Sequence, residues 1–467
     1  MVTSSPQFLS NSDAFTWEME HDAALRSTVV TVFVLDRPPD PARVREGFER
    51  AVATVPQFRQ RVVPSAPPAP PRWEDDPDLD LDFHLRHVTA SPVDGQAPGL
   101  DVVLEMARRA EMADFDRARP LWEATIVDGL TVDGVPGRAA LLVKLHHALT
   151  DGIGGVQLAL SILDLGPEPT ERGPLPAVPV APEAGRWAPW TASAAYDLSA
   201  VRTLARTTLR SVPGMLRGAL HPVETARDVA AVAGSVARTV RPINRTGSAL
   251  MSERRLVRQL GVHQVPLAGL KEAAHACDAT LNDAFLAAVT GGVRRYHERH
   301  RAEVGDLHVT MPLSLRDDGD ALGGNRITLM RFDVPARIPR ADTRMRAIHV
   351  RAQRMRSERS LPYTQAIAGA LNLLPHAYLA AMLRHVDVLA SDVPGIPVPV
   401  WLGGARVLVQ YPFGPTIGSA VNVTLMSYVD TCAVGVDVDT GAVPDLEVFL
   451  ECLREGFDEV LALGVSR

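Results

Sequence analysis

Hydrophobic and polar positions along the chain follow two periods, one of strands and one of helices. Thr28–Leu35 (TVVTVFVL) is an unbroken β-branched and apolar run, which predicts a buried strand. Pro41 then opens a helix in which Val44, Phe48, Val52 and Val55 form one apolar face. Trp122–Leu130 and Arg138–Leu145 read as two strands joined by the turn-rich segment TVDGVPG. Val156–Leu165 is apolar on nearly every side, as a helix buried in a core would be. Beyond Arg254 the alternation resumes. Helices are expected over Leu281–His300, Ala341–Arg356 and Leu446–Leu463. Strands are expected over His308–Leu313 and Ile327–Val334, with a hairpin of Val421–Tyr428 and Ala433–Val438 turning at Val429–Asp430.

Between these regions the pattern lapses. Gly166–Trp190 is proline-rich and aperiodic, which reads as an extended linker, and a helical region follows from about Ala192 to Val240. The layout is therefore three parts: an α/β unit over 1–165, a linker and helical connector over 166–245, and a second α/β unit over 246–467.

The chain has 467 residues, of which 46% are hydrophobic and 22% charged, enough for large cores and inconsistent with a disordered or fibrous chain. A net charge of −7 argues against a nucleic-acid partner, which would draw on a basic excess. Lys144 and Lys271 are the only lysines, so 48 − 2 = 46 basic residues are arginine, a bias that fits GC-rich codons. Cys277, Cys432 and Cys452 are odd in number and not in ligand spacing, so a reducing, cytoplasmic setting is expected. The N-terminus lacks the basic start and apolar core of a signal peptide. Ser360–Leu383 and Val407–Val429 are long and uncharged or nearly so, but too polar and too interrupted by Pro and Gly for membrane spans. The first of them is expected as core or as the wall of a tunnel.

Chemistry concentrates in KLHHALTDGIGG, Lys144–Gly155. An apolar strand carries His146 and His147 to its end, where alternation sends them to opposite sides. Gly152, Gly154 and Gly155 allow a sharp turn and close backbone approach. Three readings are open: two structural histidines, a metal site, and a histidine general base. The spacing lacks the helical H-E-x-x-H arrangement and a compensating Cys or His cluster, which counts against metal. Imidazole titrates near ~6.5, so a neutral base is available at working pH.

HHALTDG resembles the H-H-x-x-x-D-G motif of the CoA-dependent acyltransferase superfamily, which includes chloramphenicol acetyltransferases, plant acyltransferases and peptide-synthetase condensation domains. Further segments select a branch: DRARPLW (Asp116–Trp122), Asn282-Asp283-Ala284, PLSLR (Pro312–Arg316) followed by Gly324-Asn325, and SDVPG (Ser391–Gly395) before LGGA (Leu402–Ala405). In this order, over nearly the whole chain, they resemble the bacterial wax ester synthase/diacylglycerol acyltransferase family. Two features depart from that family: Asp392 stands where Asn is usual, and the Pro-rich linker is peculiar to this chain.

The resemblance implies an α/β fold of two chloramphenicol-acetyltransferase-like domains. Their mixed β-sheets would be flanked by helices, with the active site at the domain interface. It implies an O-acyltransferase moving a long-chain acyl group from acyl-CoA to diacylglycerol, giving triacylglycerol, or to a fatty alcohol, giving wax ester. His147 would be the general base and His146 scaffold. Asp151 would steer His147 or hold the loop by a salt bridge to an arginine, and the superfamily favours the salt bridge. Asn282 would either donate to an oxyanion or cap its helix. Asp283 would assist the helix start or hold the loop. Pro120, Leu121 and Trp122 would be structural, with Trp122 a packing anchor.

No cofactor or metal is implied beyond acyl-CoA as co-substrate. Partners would be acyl-CoA and a lipid alcohol. Arg202, Arg206 and Arg210, four apart, would form a basic stripe either solvated or set against an anionic membrane or lipid-body surface. Two alternatives remain: a condensation-type acyltransferase working on carrier-bound substrates, and a non-catalytic lipid-binding protein.

Overall fold

The computed structural model describes residues 7–92, 95, 97–150, 152–175, 190–198, 202, 231, 234–237, 241–314, 327–358, 363–372 and 374–465. In chain order the first half holds β1 (Gln7–Phe8), α1 (Asn11–Met19), β2 (Thr28–Leu35), α2 (Pro41–Thr54), β3 (Gln60–Val63), β4 (Arg72–Asp75), α3 (Leu81–His84), β5 (Leu85–Thr89), α4 (Leu100–Met112), β6 (Trp122–Val132), β7 (Val135–His146) and α5 (Gly152–Ile162). The second half holds β8 (Arg258–Pro266), α6 (Leu267–Ala276), α7 (Leu281–Arg299), β9 (Asp306–Ser314), β10 (Ile327–Pro335), α8 (Ala341–Arg356), α9 (Thr364–Leu371), α10 (His376–Leu383), β11 (Val388–Val393), β12 (Trp401–Leu402), β13 (Ala405–Phe413), β14 (Val421–Tyr428), β15 (Thr431–Asp439) and α11 (Leu446–Val465).

Two six-stranded mixed sheets carry the fold. The first runs β12-β13-β2-β7-β6-β5, the second β10-β9-β11-β14-β15-β8, and a small sheet β1-β4-β3 lies apart from both. Local chemistry explains the elements. The Asp40 carboxylate caps α2 by accepting from the Ala42 and Arg43 N–H groups, and Pro41 takes the first turn, where no N–H is needed. β6 and β7 turn at Asp133 and Gly134, both at positive φ (53° and 73°), the twist a tight hairpin requires. The second sheet's inner face packs on α6, α7, α8 and α11 in the largest core, around Phe285, Tyr296, Phe449 and Phe457. The mixed α/β architecture expected from the sequence is present.

The second unit, read from the sequence as 246–467, is not closed on itself. β12 and β13 cross to the first sheet, where β13 pairs antiparallel with β2 from Val407↔Leu35 to Phe413↔Val30. Nothing in the local pattern of 405–413 specifies which sheet it joins. Two smaller differences also emerge. The helix expected from Val156 begins at Gly152, because the glycines form its first turn. The Ser360–Leu383 region is two helices, α9 and α10, separated at Pro375, which takes the N-cap of α10. Among the described residues no helix is long and apolar enough to cross a membrane. Of the arginine stripe, Arg202 is an exposed helical residue, and Arg206 and Arg210 lie outside the described residues.

Candidate active site

β7 ends at His146, opposite Thr28 of β2. The PLW element supports that end from behind. Pro120, Leu121 and Trp122 are buried, and the Leu121 carbonyl accepts from the His146 N–H at 3.0 Å. Trp122 donates its indole N–H to the Phe58 carbonyl at 2.9 Å and stacks against Phe48, Phe58 and His84. It is a packing anchor, as the sequence suggested, and does not line the cavity described below.

The two histidines part company at the strand end. His146 is fully buried, with Trp17 and Phe115 edge-on to its ring. Its Nδ1 accepts from the Ala148 N–H at 3.0 Å, which leaves the proton of the neutral ring on Nε2, 3.4 Å from Glu20 Oε1. Burial pushes the Glu20 carboxyl up. The His146 contact, the Ser27 N–H and the Arg26 charge together outweigh it and hold the group below the usual glutamate range. His146 is thus tied into the scaffold by the hydrogen bond at Nδ1, with Glu20 close to Nε2. The His147 backbone N–H donates to the Ser27 carbonyl at 2.9 Å, and its half-buried ring opens on the other side.

It opens into a cavity of about 570 Å³ built from both halves of the chain. Phe15 and Met19 of α1, Phe33 of β2, and Val156 and Ala159 of α5 line it from the first half. Ile367 and Leu371 of α9, Leu389 of β11 and Met426 of β14 line it from the second. Of the two expectations for the Ser360–Leu383 region, core and tunnel wall, its described residues serve as both: Leu371 and Leu383 are buried core, and with Ile367 they also line the cavity.

Few polar groups interrupt this lining. Asn422 and Thr424 satisfy one another: Thr424 donates to Asn422 Oδ1 at 2.7 Å, and Asn422 Nδ2 donates to the Pro415 carbonyl at 2.8 Å. Asn282 lies at the second position of α7 and reaches the same cavity as His147, its buried Oδ1 without a hydrogen-bond partner among the described residues. It does not cap the helix. Thr280 is the cap, in a reciprocal box with Asp283, whose carboxylate takes the Thr280 N–H at 2.8 Å and also His349 Nδ1 at 2.7 Å. Of the two readings of Asn282 the cap is therefore overturned, while Asp283 does secure the helix start.

Gly152 opens α5, and Asp151 lies outside the described residues, as do Leu315, Arg316, Gly324 and Asn325. Pro312, the first residue of that motif, lines the cavity. Sequence reasoning missed Gln410 and Asn422, and it noted Asp392 only as a departure from a motif. All three line the cavity. A polar residue inside an otherwise buried strand was the available signal. Among the described residues no cluster of three or more His, Cys, Asp or Glu is placed to hold a metal ion.

Comparison with known proteins agrees with this geometry. Residues 9–285 match the family model described as the wax ester synthase/diacylglycerol acyltransferase catalytic domain, and residues 323–460 match the WS/DGAT C-terminal domain. A Mycobacterium tuberculosis (strain H37Rv) protein provisionally named a diacylglycerol O-acyltransferase is 36% identical over 95% of this chain and 90% of its own length. The solved wax ester synthase/diacylglycerol acyltransferase from Marinobacter aquaeolei superposes with a TM-score of 0.64 at 19% identity, covering 98% of this chain and all (100%) of that one. The starter condensation domain of rhizomide synthetase, solved with C8-CoA and Leu-SNAC, superposes with a TM-score of 0.61 at 12% identity over 99% and 95% of the two chains. These two structural likenesses speak to the fold.

Proposed function

Because the chain belongs to the wax ester synthase/diacylglycerol acyltransferase family, we propose that it transfers a long-chain acyl group from acyl-CoA to the hydroxyl of diacylglycerol, of a fatty alcohol, or of both. The observation that carries the reading is the cavity: His147 and Asn282, from different halves of the chain, open into one space whose walls are mainly hydrocarbon. Such a space suits a long chain with its reacting end at the few polar groups.

His147, neutral, takes the proton of the acceptor hydroxyl as the alcohol oxygen bonds to the thioester carbonyl carbon. The carbonyl oxygen gains the negative charge, and the Asn282 side-chain amide N–H group donates to it. The C–S bond then breaks as the carbonyl re-forms. The thiolate leaves with little help, since thiols titrate near ~8.5, and the imidazolium returns the proton to sulfur. Ester and free CoA are the products, with His147 neutral again. The balance is complete without a metal, a redox cofactor or an acyl-enzyme. In this reading His146 and Gly152 fix the strand end and the turn after it, and Asp151 holds the loop by pairing with an arginine. We place the protein in the cytoplasm, working peripherally at a membrane or lipid-body surface that supplies its acceptor.

The test is thiol release from palmitoyl-CoA, measured with a diacylglycerol and with a long-chain alcohol in parallel. Acceptor-dependent release is expected, and the ratio of rates gives the preference. Release with neither acceptor would remove the proposal. Asn282→Ala should lower kcat by about 10²–10³-fold with little change in KM, the loss typical of one oxyanion donor. An unchanged kcat would leave Asn282 without that role.

A further inference from the structure

One polar group in the cavity has no part in this chemistry. Asp392 lies near the C-terminal end of β11, which pairs in parallel with β14, Ser391 opposite Thr424 and Asp392 opposite Leu425. Paired residues of adjacent strands share a face. Ser391 therefore faces Thr424's side, and Asp392 shares the helix-covered side with Ala390, Val423 and Leu425, all of which belong to the apolar core around α7. The cavity wraps the end of the strand and touches both sides.

Among the described residues the half-buried Asp392 carboxyl has neither a hydrogen-bond nor an ion-pair partner. Burial alone pushes it up to about 6. The groups around it do not relieve this. β15 brings Cys432, whose thiol is itself pushed up, to about 12, by burial and then by Asp392, with Lys271 of α6 opposing. α7 brings Asn282, which does not titrate, and Asp283, which is turned to Thr280 and His349. β14 brings Leu425 and Met426. His147, Arg331 and Glu358 line the same cavity.

We propose that Asp392 couples lipid binding to proton uptake: the cavity accepts a hydrocarbon chain with Asp392 as the neutral acid. The inference rests on the cavity being the lipid site. Without a bound chain, the ionised carboxylate depends on water in the cavity. A chain that displaces this water desolvates the carboxylate further and favours its protonation. Below the free carboxyl's titration the proton is already in place and affinity is independent of pH. Above it each binding event draws a proton from solvent, so affinity falls as pH rises.

The experiment is a fluorescence titration with a pyrene-labelled long-chain alcohol, which has no titrating group of its own, from pH 5.5 to 8.5 (about three units). The wild-type Kd should be flat near the acid end and weaken above pH ~6, approaching about tenfold per unit in the limit of one proton taken up. Asp392→Asn, neutral throughout, should bind with a flat Kd and more tightly than wild type at pH ~8. It should melt no lower than wild type there, because it removes a poorly solvated charge. A flat wild-type profile overturns the proposal, and so does an Asp392→Asn profile as steep as wild type, which would assign the proton to another group such as His147. Failure of the alcohol to bind either protein at any pH overturns the lipid-site reading itself, and this proposal with it.

Discussion

Replacing His147 with alanine should lower acyl transfer by at least about a hundredfold, and by up to ~10⁴-fold, while leaving the melting temperature within a few degrees of wild type. The reason for the second half is local. The His147 ring opens into the cavity, and the bond from its backbone N–H to Ser27 is one that alanine retains. His146→Ala is the informative contrast. It removes a buried ring from between Trp17 and Phe115, the acceptor of the Ala148 N–H and the partner of Glu20. Its loss of activity should come with a lowered melting temperature. Turnover of palmitoyl-CoA and a thermal melt on the same samples check both. A folded His147→Ala protein with undiminished turnover would end the assignment of the base.

The second large effect is steric and lies where the two sheets meet. Gly435 of β15 sits between Thr424 of β14 and Val262 of β8 in the second sheet. A Cβ there would fall 1.7 Å from the carbonyl oxygen of Pro412, on the strand that crosses to the first sheet. Both backbones are fixed in ladders, so neither can yield by a rotamer change. Overpacking usually costs about 1–3 kcal/mol, and a clash between two fixed backbones belongs at or above the top of that range. Gly435→Ala should therefore melt several degrees lower and lose activity, since Gln410, Pro412 and Phe413 of the displaced strand line the cavity. Gly166→Ala, where a Cβ would meet nothing within 4 Å, is the control and should behave as wild type. A Gly435→Ala protein that melts with the control would contradict the close approach.

What could be read from the sequence divides along the same line. Thr28–Leu35 and Ala341–Arg356 appear with the bounds expected, because a β-branched run and a long amphipathic stretch are decided locally. The hairpin at Val429–Asp430 was equally local. The histidine pair was legible in part: strand alternation sends the two rings to opposite sides, and the resemblance named His147 as the one that opens. Asn282 was read as an open choice although the deciding signal was two residues upstream, in the Thr280 and Asp283 spacing of a capping box. Gln410, Asn422 and Asp392 stood out only as polar residues in buried strands and could not be assigned to a site, for a different reason. They sit in strands whose neighbours are set by tertiary pairing, and no periodicity within a strand reports which cavity it will edge.

The pairing of β13 with β2 also has a consequence for how the chain is made. β2 leaves the ribosome well before the strand that covers its outer edge, Ala405–Phe413. At ~5–20 residues per second, β2 waits on the order of half a minute for its partner. Over that interval Thr28–Leu35 is an uncovered row of backbone donors and acceptors on an apolar strand, a template for pairing with another nascent chain. A fragment ending at Leu165 would keep that edge bare permanently. Solubility in a cell thus depends on what shields β2 during translation, a requirement that the finished molecule no longer displays.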